Sequence, residues 1–190
     1  FDPLKDYAFI SLFGITPNIL VVNPSVPVKS VKDLIEYNKS RGGKANMASA
    51  GVGSQSHLAG VLFLQLAKSE ALHVPYKGAA PAITDVMGGQ VEGFFGDIPG
   101  LIGHVKAGKL KALGLASSRR HPALPAVRTL AEQGIAGVDT NNWYALFAPA
   151  ATPAGVIDVL NQAVHRALTS PALRERLQQI LGQEFAEDLD

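Results

Sequence analysis

The stretch Ala48-Ser49-Ala50-Gly51-Val52-Gly53-Ser54-Gln55-Ser56-His57 constrains the fold of this chain more than any other. It follows the short run Lys44-Ala45-Asn46-Met47 and leads into the apolar positions Leu58, Val61, Leu62, Leu64 and Leu66. That order reads as a strand, a glycine–hydroxyl loop and the first turn of a helix. Such a loop turns several backbone N–H groups and small hydroxyls toward one point, where the helix dipole also favours negative charge. The loop therefore raises the question of which anion, if any, it holds.

The rest of the chain repeats the same grammar. Residues 7–13 and 18–22 read as two strand pieces around Gly14-Ile15-Thr16-Pro17, and Asn23-Pro24-Ser25-Val26-Pro27 breaks the second. Ser30 with Asp33 forms a capping-box pattern, opening a helix that ends near Arg41-Gly42-Gly43. A helix over 56–68 and a strand at Leu72-His73-Val74 follow the glycine–hydroxyl loop. Next come a helix over 79–87 closed by Gly88-Gly89, a strand over 91–95 ending at Gly96-Asp97, a helix over 99–107 and a strand over 111–116. Strands alternating with helices of this length predict an α/β fold with a largely parallel sheet. Past a loop over 118–128, a short helix near 129–133 precedes a strand over 138–148 that carries Trp143 and Tyr144. Two final helices run to 168 and 181, opened by Thr152-Pro153 and Ser170-Pro171, each an N-cap followed by an N1 proline.

Composition removes several function classes. A net charge of +1 gives no bulk attraction to nucleic acid or anionic lipid. The absence of cysteine excludes disulfides, thiolate metal sites and cysteine nucleophiles. No apolar run approaches the roughly 20 residues of a membrane span. The chain starts at Phe1 rather than Met, as a processed or truncated product does, so the lack of a leader says nothing against export.

Several motifs also admit plainer readings. Gly51-x-Gly53-x-x-Ser56 lacks the third glycine of the dinucleotide fingerprint, and Glu70 precedes the next strand instead of ending it. Gly103-x-x-x-x-Gly108-Lys109 puts its glycine–lysine pair at a helix end, where a phosphate loop needs strand, loop, helix; it reads as a helix C-cap. Ser54, Ser56 and His57 invite a hydrolase, but no Gly-x-Ser-x-Gly elbow exists and one helical turn places them poorly for proton transfer. Ser54 reads as an N-cap, with His57 packing near the loop. His57, His73, His104, His121 and His165 have no metal-ligand spacing, so no metal or cofactor is expected. Asp97 stands either as the N-cap of the following helix or as a ligand contact at a strand tip. The stretch 98–131, with Lys106, Lys109, Lys111, Arg119, Arg120 and Arg128 and no acid, is either a solvated face or a partner surface. Trp143 lines a cleft or anchors a core.

The chain as a whole resembles the Bug family, the extracytoplasmic solute receptors of tripartite tricarboxylate transporters. The resemblance is carried by Asp2-Pro3-Leu4-Lys5-Asp6, Thr16-Pro17-Asn18-Ile19-Leu20-Val21-Val22-Asn23-Pro24 and Ala48-Ser49-Ala50-Gly51-x-Gly53-Ser54-x-x-His57-Leu58-Ala59-Gly60. His73-Val74-Pro75-Tyr76-Lys77-Gly78-Ala79-Ala80-Pro81-Ala82, Gly88-Gly89-Gln90-Val91, Lys106-Ala107-Gly108-Lys109-Leu110 and Leu146-Phe147-Ala148-Pro149-Ala150-x-Thr152-Pro153 continue it. Two departures flank the aspartate: Gly96 precedes Asp97, and Ile98-Pro99-Gly100 follows where a polar residue is common in the family.

This resemblance implies a periplasmic binding protein of the type II-like two-lobe α/β fold, with a ligand cleft between lobes and no catalytic activity. The second lobe would be complete and the first partial, since the family's N-terminal βα units precede the Asp-Pro-Leu-Lys-Asp block and the end at Glu187-Asp188-Leu189-Asp190 is short. The implied organisation is 1–17 leaving the first lobe, 18–140 forming the second, and 141–190 returning to the first. The expected ligand is a small carboxylate (di- or tricarboxylate, acidic amino acid or aromatic acid), gripped largely through bridging waters. Ser49, Gly51, Gly53, Ser54 and Gln55 would surround it with His57 at the rim; Thr16 and Asn18 lie on the crossing strand, Tyr76 and Lys77 at the next βα turn and Asp97 at the following one. Asp97 would attract an ammonium group and repel a second carboxylate. The expected partners are the ligand and the membrane components of the transporter, with a sensing role or an α/β hydrolase as alternatives. Full-length protein would be monomeric, whereas a chain lacking part of the first lobe exposes an apolar helix face and is expected to dimerise, swap segments or be a proteolysed remnant.

Overall fold

A computed structural model describes the backbone of residues 2–181 and the side chains of 2–177; Phe1 and the end at Glu187–Asp190 lie outside the described residues. The chain divides into two compact units, one spanning Pro17–Asn142 and one made of the segments before and after it.

Five strands of the Pro17–Asn142 unit lie in the order β3-β2-β4-β1-β5, where β1 is Tyr7–Val22, β2 Asn46–Ser49, β3 Leu72–Pro75, β4 Gly93–Asp97 and β5 Lys111–Ala116. β2 runs parallel to β3 and β4, but β1 runs antiparallel to β4 and β5. The sheet is therefore mixed, not largely parallel. The alternating pattern recorded βα crossovers, and β1 enters by none of them. A second difference concerns the same strand: the two pieces expected around Gly14–Pro17 are one continuous β1. Pro17 does not break it, because the ladder to β4 and β5 begins at Asn18.

From Thr16 to Val22, β1 is buried on both faces, which explains the unbroken run Ile19-Leu20-Val21-Val22. Leu20 and Val22 point into a core with Leu34, Met47, Phe63 and Phe95. Ile19 and Val21 point into a second core with Val86, Phe94, Leu101 and Leu115. Side chains alternate at a period of two, so one central strand serves both. Each such fully buried side chain stabilises the unit by about 1.5–3 kcal/mol.

The helices start where their caps dictate. In α1 (Val31–Ser40) the Ser30 hydroxyl accepts from the Asp33 N–H, while the Asp33 carboxylate accepts from the Lys29 N–H at 2.8 Å. α2 covers Gln55–Leu66, α3 Ala79–Gly88 and α4 Ile98–Lys106. Gly89 closes α3 in the left-handed region at φ 76°. Gly96 has a packing reason: a Cβ there would meet the Phe94 ring and, at 3.0 Å, Leu101 Cδ1.

The basic stretch is partly consumed by structure. Lys111 Nζ donates to the carbonyls of Val26 and Val28 at 2.9 and 2.8 Å, and Arg120 pairs with Glu132 at 3.0 Å.

The other unit contains the first half of β1, most of β6 (Asn141–Pro149), α5 (Ala154–Thr169) and α6 (Pro171–Leu181). Asn161 Nδ2 on α5 donates to the Ile10 carbonyl at 2.7 Å. Phe147 makes T-shaped ring contacts with Tyr7, Phe9 and Trp143. Trp143 is 58% exposed and so anchors no core. The α5 cap falls on Pro153, without a side-chain bond, so Thr152 does not play the capping role expected of it. No described helix is long and apolar enough to cross a membrane.

Candidate functional site

Because β2, β3 and β4 run parallel, their C-terminal ends open on one side of the sheet, where ligands of open α/β sheets bind. Three segments emerge there: the loop Ser49–Ser54, the turn Tyr76–Gly78, and Asp97. Antiparallel β1 brings Asn18 to the same end, opposite Asp97 in register.

The loop is stitched mainly to itself. Ser54 caps α2, accepting from the His57 N–H at 3.3 Å while its own hydroxyl donates to the Gly51 carbonyl at 2.6 Å. Ser56 Oγ lies 3.0 Å from Ser54 Oγ and accepts from the Ala50 N–H at 2.8 Å. The Gly51 N–H reaches Ser49 Oγ at 3.2 Å, and the Gly53 N–H reaches His57 Nδ1 at 3.1 Å. The loop's N–H groups thus do not all converge on an outside point, which corrects the simple cradle expected from sequence. Small hydroxyls two to six residues away are nearer acceptors than any ligand. Gly51 and Gly53 serve by conformation, at φ 138° and 77°, and a Cβ on Gly51 would stand 3.2 Å from the Tyr76 carbonyl. The backbone donors left at the start of α2 are Gln55 and Ser56, which have no intrahelical partner.

The neighbouring turn is tied to this loop through its backbone: Tyr76 N–H donates to the Ser49 carbonyl and Gly78 N–H to the Ala50 carbonyl, each at 3.0 Å. The Tyr76 hydroxyl points elsewhere, donating to Asp85 Oδ2 at 2.7 Å. Burial first and Asp85 second push that phenol up to about 12. Lys77 is exposed and takes no hydrogen bond or ion pair among the described residues.

One member of this cluster escaped the sequence reading. His73 on β3 places Nε2 2.6 Å from Ser49 Oγ and stacks on His57, ring centroids 4.0 Å apart at 14°. Desolvation, and then the nearby His57, hold His73 below its ordinary value. The signal lay in Met47↔His73 pairing, since the parallel register sets β3 beside β2 and its loop. Spacing in the sequence could not show it.

Asp97 is the N-cap residue of α4, as the plainer reading had it, but its side chain makes no capping bond. Its carboxylate instead accepts from two amides, Asn18 Nδ2 on Oδ1 and Asn142 Nδ2 on Oδ2, each at 2.8 Å. Asn18 is 1% exposed, and its Oδ1 accepts from Thr140 Oγ1 at 3.3 Å. Gln55 Nε2 reaches the Asn141 carbonyl at 3.1 Å, so the opening of α2 and this carboxylate network meet at Asn141-Asn142. Thr140 and Asn142 also went unnoticed in the sequence. Thr16, in the flanking unit, is fully buried and its Oγ1 has no partner among the described residues.

No group of three or more metal-ligating side chains occurs among the described residues. Ser54 touches no imidazole nitrogen. The serine that does meet one, Ser49, is 1% exposed. A nucleophile must reach its substrate, and this hydroxyl is enclosed.

Comparison of the sequence and the fold with known proteins points to one class. The structure of the periplasmic binding protein BugD superposes with a TM-score of 0.91 at 32% identity, covering 98% of this chain and 62% of that one. MatC (Rpa3494) from Rhodopseudomonas palustris, solved with bound malate, gives a TM-score of 0.89 at 33% identity over 95% of this chain and 62% of that one. The α/β fold is that of the periplasmic binding proteins. The sequence profile described as tripartite tricarboxylate transporter family receptor matches residues 1–187, and the chain belongs to that family. Protein BugT of Bordetella pertussis is 38% identical over 173 residues, which are 90% of this chain and 53% of BugT. The chain spans about half the length of the curated relatives it matches.

Proposed function

We propose that this chain belongs to a periplasmic solute receptor that captures a small carboxylate, without chemical change, for uptake by a tripartite tricarboxylate transporter. The observation that carries the reading is the convergence at one sheet end of the α2 N-terminus, the serine-rich loop, Lys77 and the Asp97–Asn18 pair. A carboxylate fits the two unpaired N–H groups of Gln55 and Ser56 and the positive end of the helix dipole. Helix-end placement contributes about 0.3–1 kcal/mol when exposed and up to about 2 when partly buried. Such a contribution orients a ligand but does not hold it alone. Because the serine hydroxyls are engaged within the loop and by His73, water bridges are the remaining route to Ser49, Gly51, Gly53 and Ser54. Asp97 selects against a second carboxylate beside it. Thr16 and Tyr76 fit supporting roles better than direct contact. Residues 18–140 correspond in this reading to one lobe, with 1–17 and 141–190 contributing to the other. The malate bound by MatC supports the ligand class.

Isothermal titration of malate, succinate, adipate, citrate, glutamate, aspartate and nicotinate tests the reading. At least one dicarboxylate should bind, and Ser54→Ala should weaken it. Failure of every acid to bind sinks the assignment.

A further inference from the structure

We infer that His57 and His73 are positioning residues for the carboxylate loop: a stacked pair of imidazoles that clamps the Ser49–Ser54 turn at both of its ends. The inference rests on the carboxylate reading above, which gives the loop its task. The two rings reach the loop through different atoms. His57 Nδ1 lies 3.1 Å from the Gly53 nitrogen, and His73 Nε2 lies 2.6 Å from Ser49 Oγ. A backbone N–H only donates, so His57 Nδ1 must be bare and its ring proton must sit on Nε2.

A proton added at Nδ1 sets two donors face to face and removes the Gly53 bond. A second charge in a ring 4.0 Å away is then opposed by the first. The lowered proton affinity of His73 agrees with this. The cavity beside the rings, about 30 Å³, is lined from β2, α2, β3 and β4, and His57 and His73 are its only titratable or charged members. Ser49, Ser56 and apolar side chains supply the rest. The cavity therefore offers neither ring a carboxylate partner.

The clamp and plain charge attraction have opposite signs. If the histidines merely attracted the ligand, a carboxylate would bind more tightly as pH falls and the rings become charged. If they position the loop, binding weakens as His57 takes its proton, by at most about tenfold per pH unit for one proton.

Nitrogen-15 NMR of the chain decides the matter before any ligand is added. His57 should be the Nε2–H tautomer at pH 7.5, and the Gly53 amide should shift with the same midpoint as the His57 ring. In His57→Asn the Oδ1 atom takes the place of Nδ1 without titrating, so the Gly53 amide should keep its position and lose its pH dependence. A proton on Nδ1, or a Gly53 amide indifferent to the His57 titration, overturns the clamp. With malate as probe, affinity should fall several-fold from pH 7.5 to 5.5 in the natural chain and stay level in His57→Asn; tighter binding at pH 5.5 overturns the clamp as well. Absence of malate binding at every pH counts against the carboxylate reading, while the NMR result still judges the clamp.

Discussion

At Asp97 two side-chain amides donate to one carboxylate, and each comes from a segment far away in sequence. Truncating the acid strands both: Asn18, at 1% exposure, has no water to turn to. Asp97→Ala should cost about 1–3 kcal/mol of unfolding free energy, measured by urea titration. Asp97→Asn, which keeps one neutral acceptor, should cost less; equal costs would show that an uncharged oxygen does not replace the carboxylate for either amide. His73 gives the residue scale a pH dependence. Its folded proton affinity lies below the ordinary value of 6.5, so the unfolded chain binds the proton better. The stability it contributes is full above 6.5 and is lost as pH falls through the folded value. The urea midpoint should hold between pH 8 and 7 and drop below 6.5, and His73→Gln should flatten part of that drop. The residues themselves were legible: Asn18, Ser49, Ser54 and Asp97 stood out in the sequence. Their partners were not, because Asn142 and His73 acquire meaning only through strand register.

Among the elements, α2 shows how much a local pattern settles. Ser54 was readable as its N-cap, and the helix begins one residue later as capping requires. Ser54→Ala should cost about 1 kcal/mol and Ser54→Gly only a few tenths, because glycine leaves the cap solvated. Both lose the bond to the Gly51 carbonyl, so any drop in ligand affinity common to the two variants reports on the loop, not on helix stability. β4 is the contrasting case. The glycine at 96 looked like a departure from family pattern and proves to be a packing necessity against Phe94 and Leu101. Gly96→Ala should destabilise by about 1–3 kcal/mol through overpacking, read as a lower melting temperature. A neutral outcome would mean that the Phe94 ring can move aside.

For the whole molecule, the two buried faces of β1 tie both cores to one strand. The unit outside Pro17–Asn142 is different: Phe9 is 56% exposed, Trp143 58% and Val159 61%. Apolar surface of that kind associates in water. Light scattering of this 190-residue chain should show a mass that rises with concentration, and Phe9→Ser with Val159→Ser should reduce it. A constant monomer mass at high concentration would count against association. The sequence by itself determined the element types, the Ser30 and Ser54 caps of α1 and α2 and the glycine–hydroxyl loop, because these depend on interactions within a few residues. It also determined the family, through blocks spread along the chain. Only the tertiary structure decided that β1 runs antiparallel between β4 and β5, that the loop spends most of its donors on itself, and that His73 joins His57 beside Ser49. Those outcomes depend on strand direction and register, which no local pattern encodes. The glycine–hydroxyl loop is therefore less a bare cradle than a preformed turn, fixed by its own hydroxyls and by two imidazoles.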